Sequence, residues 1–291
     1  MVVVLWGINV VMVKYLTTFF PPLALVPIRM ALATVLLFAI VGRRYGMPRL
    51  PRPIWGHIVT VAAFSIIIHQ LTLTYGVTMT SGTHAVLILG LNPLMTTLLA
   101  SFLVKERFSL SKAVGIVLGF CGVMLVVYGR HQGTATMAGD LMMLLSMISA
   151  AFGSIFIKKC TMQVSPLVVT AYSHLLASTI LLIIGFFANP VWSYAGAFAP
   201  WPLFILLFSS FICTAMGAFW WNTGIQRVGA STSSLFQNGI PIVGVFASAL
   251  FLAEELQWNH FAALVLVLAG VSLGAGVVSF GRWLQDAPDR G

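Results

Sequence analysis

The chain has 291 residues, 59% of them hydrophobic and only 7% charged, with a mean hydropathy of +1.02. Six carboxylates and fifteen Lys and Arg cannot clothe a water-soluble globule of this size, whereas lipid-facing surface needs no charged shell. The net charge of +9 does not point to nucleic acid, because the basic residues fall between apolar blocks instead of clustering with aromatics on a soluble face.

A bilayer core about 30 Å thick needs about 20 helical residues, and apolar blocks near that length recur along the chain. They cover residues 1–18, 23–41, 54–75, 82–104, 111–128, 139–158, 166–187, 202–224, 229–252 and 259–280. The first block has no charged leader or cleavage site, so it reads as a span and not as a removed signal. Because the chain opens almost within that span, a short preceding extension is expected. The connections carry the usual breakers, Pro21-Pro22, Pro48 to Pro53, Asn189-Pro190 and Pro200 to Pro202, and none is long enough to fold alone. The expected fold class is an all-α integral membrane protein of ten transmembrane helices.

Positive-inside counting orients the bundle. On the side of both termini lie Arg43, Arg44, Arg49, Arg52, Lys105, Arg107, Lys112, Lys158, Lys159, Arg227, Arg282 and Arg290, against Arg130 alone on the other. Both termini are therefore expected in the cytoplasm, with the chain crossing its membrane many times.

The second half of the chain repeats the first. A constant offset of 148 pairs Pro93 with Pro241, Glu106 with Glu254 and Gly122 with Gly270, and the same register pairs Gly76 with Gly224 and Leu87 with Leu235. With small gaps, Trp6-Gly7 also matches Phe152-Gly153. The expected organisation is a first five-helix repeat over 1–130, a second over 138–281 and a cytoplasmic tail over 282–291. Five spans is an odd number, so the second repeat is inverted relative to the first, the plan of many transporters that bind substrate at the midplane and rock between access states.

Trp6-Gly7-Ile8-Asn9 with Lys14, the Asn92-Pro93 pair, and Glu106 with the partners Pro241 and Glu254 resemble the ten-helix EamA-like branch of the drug/metabolite transporter superfamily. The resemblance covers the whole chain. It implies a bacterial inner-membrane exporter of amino acids and related metabolites around a central cavity, and the aromatic amino acid exporters are the members this chain most resembles.

Within the spans, Pro93 and Pro241 each remove a backbone hydrogen bond near a helix midpoint, and the freed carbonyls must be met by protein or by a watery cavity. Both follow small or polar residues, which suggests gating kinks beside a polar wall; the other reading is packing kinks filled by a neighbouring helix. Lys14 and Arg29 are the two intramembrane cations, and a charge at that depth is costly and usually functional. Lys14 lies near a helix end and could snorkel. Arg29 is placed to bind a carboxylate or phosphate, or else to satisfy carbonyls released near Pro27. No acid lies at midplane, which argues against proton-coupled export of cationic drugs; Glu106 and Glu254 are expected to cap helix ends or meet basic loops.

His69, His84 and His174 are read as rings hydrogen-bonded between helices or as proton carriers, and they have no metal-ligand spacing. Cys121, Cys160 and Cys213 read as packing residues, and no metal or cofactor is expected. The candidate substrate site comprises Trp6, Asn9, Arg29, His69, Tyr75, His84, Asn92, Tyr172, Trp220, Asn222, Gln237 and Asn238, stacking surfaces with a few amides that suit a zwitterion. Trp221 belongs beside them, although both Trp220 and Trp221 fit an interfacial role equally. Trp55, Trp192, Trp201, Trp258 and Trp283 read as interfacial anchors. Gly115 with Gly119 and Gly270 with Gly274 have the spacing of close helix contacts, within one chain or between two. A monomer suffices, and a dimer is left open.

The leading function is secondary export of small metabolites, neutral and aromatic amino acids foremost, by alternating access, with membrane lipid as the other partner. The alternative is exchange of phosphorylated metabolites or nucleotide sugars with Arg29 and Lys14 as an anion clamp. A membrane-embedded enzyme is a distant third, since no nucleophile set, carboxylate pair or metal ligands gather at one interface.

Overall fold

The computed structural model describes residues 1–103, 110–128, 135–188 and 190–274, and among these every regular element is helical. The helices are α1 (Val2–Leu16), α2 (Pro22–Tyr45), α3 (Arg52–Met79), α4 (Gly82–Leu103), α5 (Leu110–Tyr128), α6 (Met137–Thr161), α7 (Pro166–Ala188), α8 (Pro200–Val228), α9 (Ala230–Leu252) and α10 (Trp258–Gly274). Seven of them, α2, α3, α4, α6, α7, α8 and α9, are long and apolar enough to cross a membrane, and α1, α5 and α10 are shorter apolar stretches. Their bounds follow the apolar blocks to within a few residues. Glu106, Lys105, Arg107, Arg130, Trp283 and the tail from 282 lie outside the described residues.

The ends of the helices obey local chemistry. Pro22, Pro166 and Pro200 open their helices, where the missing N–H would be unpaired anyway. Ser81 caps α4 by accepting the His84 amide at 3.0 Å, and Thr136 caps α6 by accepting that of Gly139 at 3.1 Å. Gly46 and Gly229, both at positive φ, end α2 and α8.

Two kinds of irregularity shape the bundle. In α3 and α8 the regular helix gives way to π-helical turns at Ala62–Ile68 and Ser209–Met216; such turns add a residue per turn and re-aim the side chains after them. In α4 and α9 the helix tightens instead, at Gly90-Leu91 and at the 3-10 turn Phe236–Asn238, just before Pro93 and Pro241. These two breaks meet: a Cβ on Gly90 would strike the Pro241 ring, and one turn away a Cβ on Gly244 would strike Val86.

Close approach recurs wherever the sequence supplies glycine at an interface. Gly115 and Gly119 of α5 pack backbone to backbone against Gly270 and Gly274 of α10, so the paired glycine motifs close an interface inside the chain. Gly7 lies against Val243 and Gly244, and Gly153 against Ser65. The largest core cluster runs between α4, α6 and α10 through Val86, Leu87, Ile88, Met143, Met147 and Val267. Outside it, Val117, Phe246 and Val265 are more than half exposed in mid-helix, an arrangement that suits lipid and not water. Trp55, Trp192, Trp201 and Trp258 are exposed at or near helix ends.

The bundle has two dissimilar ends. At the near end, where α1 begins, Tyr172 donates its hydroxyl to Pro48 O at 2.8 Å and Lys158 donates to Gln226 O at 2.7 Å. At the far end, Lys14 at the close of α1 donates to Thr80 O at 2.5 Å and lies 3.5 Å from Glu254.

Candidate substrate site

A cavity of about 150 Å³ opens in the middle of the bundle. A single trapped water needs at least about 10–15 Å³, so this is space for a small metabolite. Gln70, Leu73, Leu89 and Asn92 line it on the side of the far end, and Trp6, Ile157, Trp221 and Asn222 line it on the side of the near end. Both π-helical turns face it, through Ser65 and Ile66 on α3 and Cys213 and Thr214 on α8. No Asp, Glu, Lys or Arg is among the described residues that line it.

Trp6 and Trp221 form its aromatic surface, with ring centroids 5.2 Å apart and planes tilted by 51°. Trp6 Nε1 donates to Cys213 O at 3.0 Å, which occupies a carbonyl of the α8 π-turn. The two histidines of the wall are held differently. His174 Nδ1 lies 2.8 Å from Thr170 O, and because a carbonyl only accepts, that nitrogen carries a proton. His69 Nδ1 lies 2.7 Å from the Ser146 hydroxyl oxygen and 3.1 Å from Ser146 O. Gln237 is buried in the wall with its Oε1 unpartnered among the described residues, and Ser65 Oγ is in the same state. Asn222 donates to Thr170 Oγ1 at 2.8 Å.

Six of the twelve candidate residues therefore line this cavity: Trp6, Asn9, His69, Asn92, Asn222 and Gln237. The other six lie elsewhere. Arg29 is fully buried one layer behind the wall, donating to Ser209 Oγ at 3.1 Å, Thr214 Oγ1 at 3.0 Å and Gln70 Oε1 at 3.4 Å. His84 is at the far end, 3.3 Å from Asp140 Oδ1. Tyr75 is half-buried on α3 towards that end. Tyr172 packs between Phe38 and Trp55 at the near end. Trp220 is half-buried beside Trp221 without lining the cavity, and Asn238 sits in the tight turn of α9. Gln70, Ser154, Ser173 and Thr214 are wall residues that the sequence did not single out; small hydroxyls and one amide in an apolar helix carry no such signal.

Lys14 and Arg29 do not converge. Lys14 belongs to a polar cluster at the far end in which Glu254 accepts from the Gly82 amide at 2.6 Å and from the Thr83 amide and hydroxyl, both at 2.9 Å. The residue before it, Ala253, has a left-handed backbone that turns the carboxylate towards the first turn of α4. Burial pushes the Glu254 carboxyl up, but those two amides, Lys14 and the Thr83 hydroxyl outweigh it and hold the group below its ordinary value. Thr80 Oγ1 donates to Asp140 Oδ1 at 2.5 Å, so the starts of α4 and α6 and the ends of α1, α3 and α9 are tied together.

The pattern of the EamA-like transporter family matches residues 1–128 and again residues 137–274. The chain belongs to the EamA-like transporter family. It is thus a transporter and not an enzyme, a multi-pass membrane protein whose substrate is a small molecule. EamA-like relatives include an uncharacterized transporter of Archaeoglobus fulgidus, 26% identical over 92% of this chain and 94% of the relative. Another is the Escherichia coli protein named "Probable amino-acid metabolite efflux pump", 27% identical over 97% of this chain and 94% of that one. A solved crystal structure shares the fold with a TM-score of 0.73 at 17% identity, covering 98% of this chain and 96% of the other.

Proposed function

We propose that the protein exports small metabolites, neutral and aromatic amino acids foremost, by alternating access across a bacterial inner membrane. Its ten helices act as two inverted five-helix repeats, over 1–130 and 138–281, with both termini cytoplasmic. The observation that carries this reading is the cavity itself: a pair of tryptophans beside amides, hydroxyls and two histidines, with no Asp, Glu, Lys or Arg among its described lining. Such a wall suits a zwitterion with an apolar or aromatic side chain. The name of the Escherichia coli relative supports the substrate class. The two family matches, the 148-residue offset and the corresponding π-helical turns of α3 and α8 support the duplication. The near-end reach of the cavity and the ionic closure of the far end support a state open towards the basic, cytoplasmic side. Pro241, whose ring packs on Gly90 where α4 and α9 cross, and Pro93, three residues beyond Gly90, are the hinge candidates.

Proteoliposomes loaded with labelled phenylalanine should exchange it against external phenylalanine, and a panel of amino acids that all fail to exchange overturns the reading. Exchange of phosphorylated metabolites is the second reading, favoured by one observation, the buried guanidinium of Arg29 behind the wall. It loses its second cation, because Lys14 is bonded to Glu254 and Thr80.

A further inference from the structure

Arg29 has no carboxylate within salt-bridge distance among the described residues, although it is fully buried. A guanidinium donates and never accepts, so every atom it bonds has given up a lone pair. That rule sets the polarity of the wall in front of it. Thr214 Oγ1 accepts from Arg29, and nothing among the described residues takes the Thr214 hydroxyl proton. Gln70 Oε1 accepts from Arg29, which leaves the Gln70 Nε2 hydrogens free to point elsewhere. Ser209 Oγ accepts from Arg29 and passes its own proton to Asn9 Oδ1 at 2.6 Å, so Asn9 too is left with its Nδ2 hydrogens. Thr214, Gln70 and Asn9 all line the cavity. The orientation of the two amides follows from the direction of the donor chain.

We infer that this patch is an oxyanion cradle: three neutral side chains, each turned into a donor by one buried cation that never touches the ligand. The occupant is an oxyanion, the carboxylate of an amino acid under the function proposed above, on which this inference rests for its first choice of ligand. An oxygen hydrogen-bonded to Thr214 Oγ1 would lie about 6 Å from the guanidinium, two hydrogen-bond lengths on, in a site where the charge is little screened. Gln237, whose Oε1 is unpartnered among the described residues, lines another part of the same wall and suits the ammonium end of the same molecule. A buried cation without a counter-ion is costly; a ligand carboxylate supplies the missing charge in each transport cycle. Arg29 is thus a positioning residue that sets which class of molecule enters.

The test compares phenylalanine with phenylalaninamide, and glycerol 3-phosphate with glycerol, by thermal stabilisation of the purified protein and by exchange in proteoliposomes. The cradle predicts that phenylalanine binds at least about tenfold more tightly than its amide, the scale of one charge-assisted hydrogen bond. Arg29→Gln should bring that ratio close to one, Thr214→Val should shrink it clearly, and Thr214→Ser should restore it. Because Arg29→Gln could fail to fold, the Thr214→Val and Thr214→Ser pair carries the test by itself; a merely structural role would lower yield without moving the ratio. Equal handling of phenylalanine and phenylalaninamide overturns the cradle and leaves amino acid transport standing. Binding of glycerol 3-phosphate alone, dependent on the Thr214 hydroxyl, keeps the cradle and overturns the amino acid reading. No discrimination within either pair, or discrimination undiminished in Thr214→Val, overturns the cradle.

Discussion

The Glu254 carboxylate accepts the Gly82 amide at 2.6 Å, so the turn after α9 caps the first turn of a helix that begins 172 positions earlier. The bond is more than a cap, because the same carboxylate lies 3.5 Å from Lys14 and draws the end of α1 into the far-end closure. Glu254→Gln removes the carboxylate charge and leaves a part-buried lysine with the Thr80 carbonyl but no counter-charge. A loss of about 1–3 kcal/mol is expected, read as a lower melting temperature of the detergent-purified protein.

Acidification should report on the same residue. A carboxyl whose folded value lies below its unfolded one contributes stability that is complete above the unfolded value, about 4.3, and is lost as pH falls through the folded one. Glu254 is such a group. The melting temperature should therefore fall as pH drops below about 5, and the fall should be shallower in Glu254→Gln; equal slopes would remove Glu254 from the account.

The interface of α5 with α10 makes a contrast between two glycines. Gly115 faces the Gly270 carbonyl and the Gly274 backbone, whereas a Cβ on Gly42 would meet nothing within 4 Å. Gly115→Leu should force the two helices apart and cost roughly 3 kcal/mol. Gly42→Ala, on the exposed side of α2, should be neutral or stabilising by about 0.5–1 kcal/mol. Size-exclusion profiles after graded heating would rank the two.

Pro93 and Pro241 stand just after the tightened turns and not within uninterrupted helix. Alanine at either position restores an N–H and lets α4 or α9 straighten, and at 241 it also removes the ring that packs on Gly90. Pro93→Ala and Pro241→Ala, made separately, should change exchange rates more than folded yield, and unchanged rates in both would discard the hinge.

Trp6 both faces the cavity and holds a π-turn carbonyl. Trp6→Ala should lower exchange of phenylalanine roughly tenfold, the scale of one lost aromatic contact with its area. Trp6→Phe should keep part of the stacking while freeing Cys213 O, and initial exchange rates at several substrate concentrations would separate the two losses.

The legible part of the site was the part written in rare residues. Tryptophan, histidine and an amide beside a proline stand out in apolar helices, and Trp6, Asn9, His69, Asn92, Asn222 and Gln237 do line one cavity. Thr214 and Gln70 were illegible because a hydroxyl or a single amide is unremarkable in a span. The π-helical turns of α3 and α8 deepen the problem, since an extra residue in a turn shifts every later side chain to another face and defeats a count by 3.6. Tyr172, which composition made a stacking candidate, is held at the near end by its hydroxyl bond to Pro48 O.

By itself the sequence determined the class of the molecule, because helix length and hydropathy are local quantities set by the bilayer and need no knowledge of neighbours. It also marked Lys14 and Arg29, since a charge among apolar residues is visible wherever it folds. Only the tertiary structure decided what those charges do. Lys14 finds its acid 240 positions away and closes one end, whereas Arg29 finds hydroxyls and an amide on α3 and α8 and polarises the cavity wall. Both outcomes depend on which helix faces meet, a matter of packing that no linear spacing records.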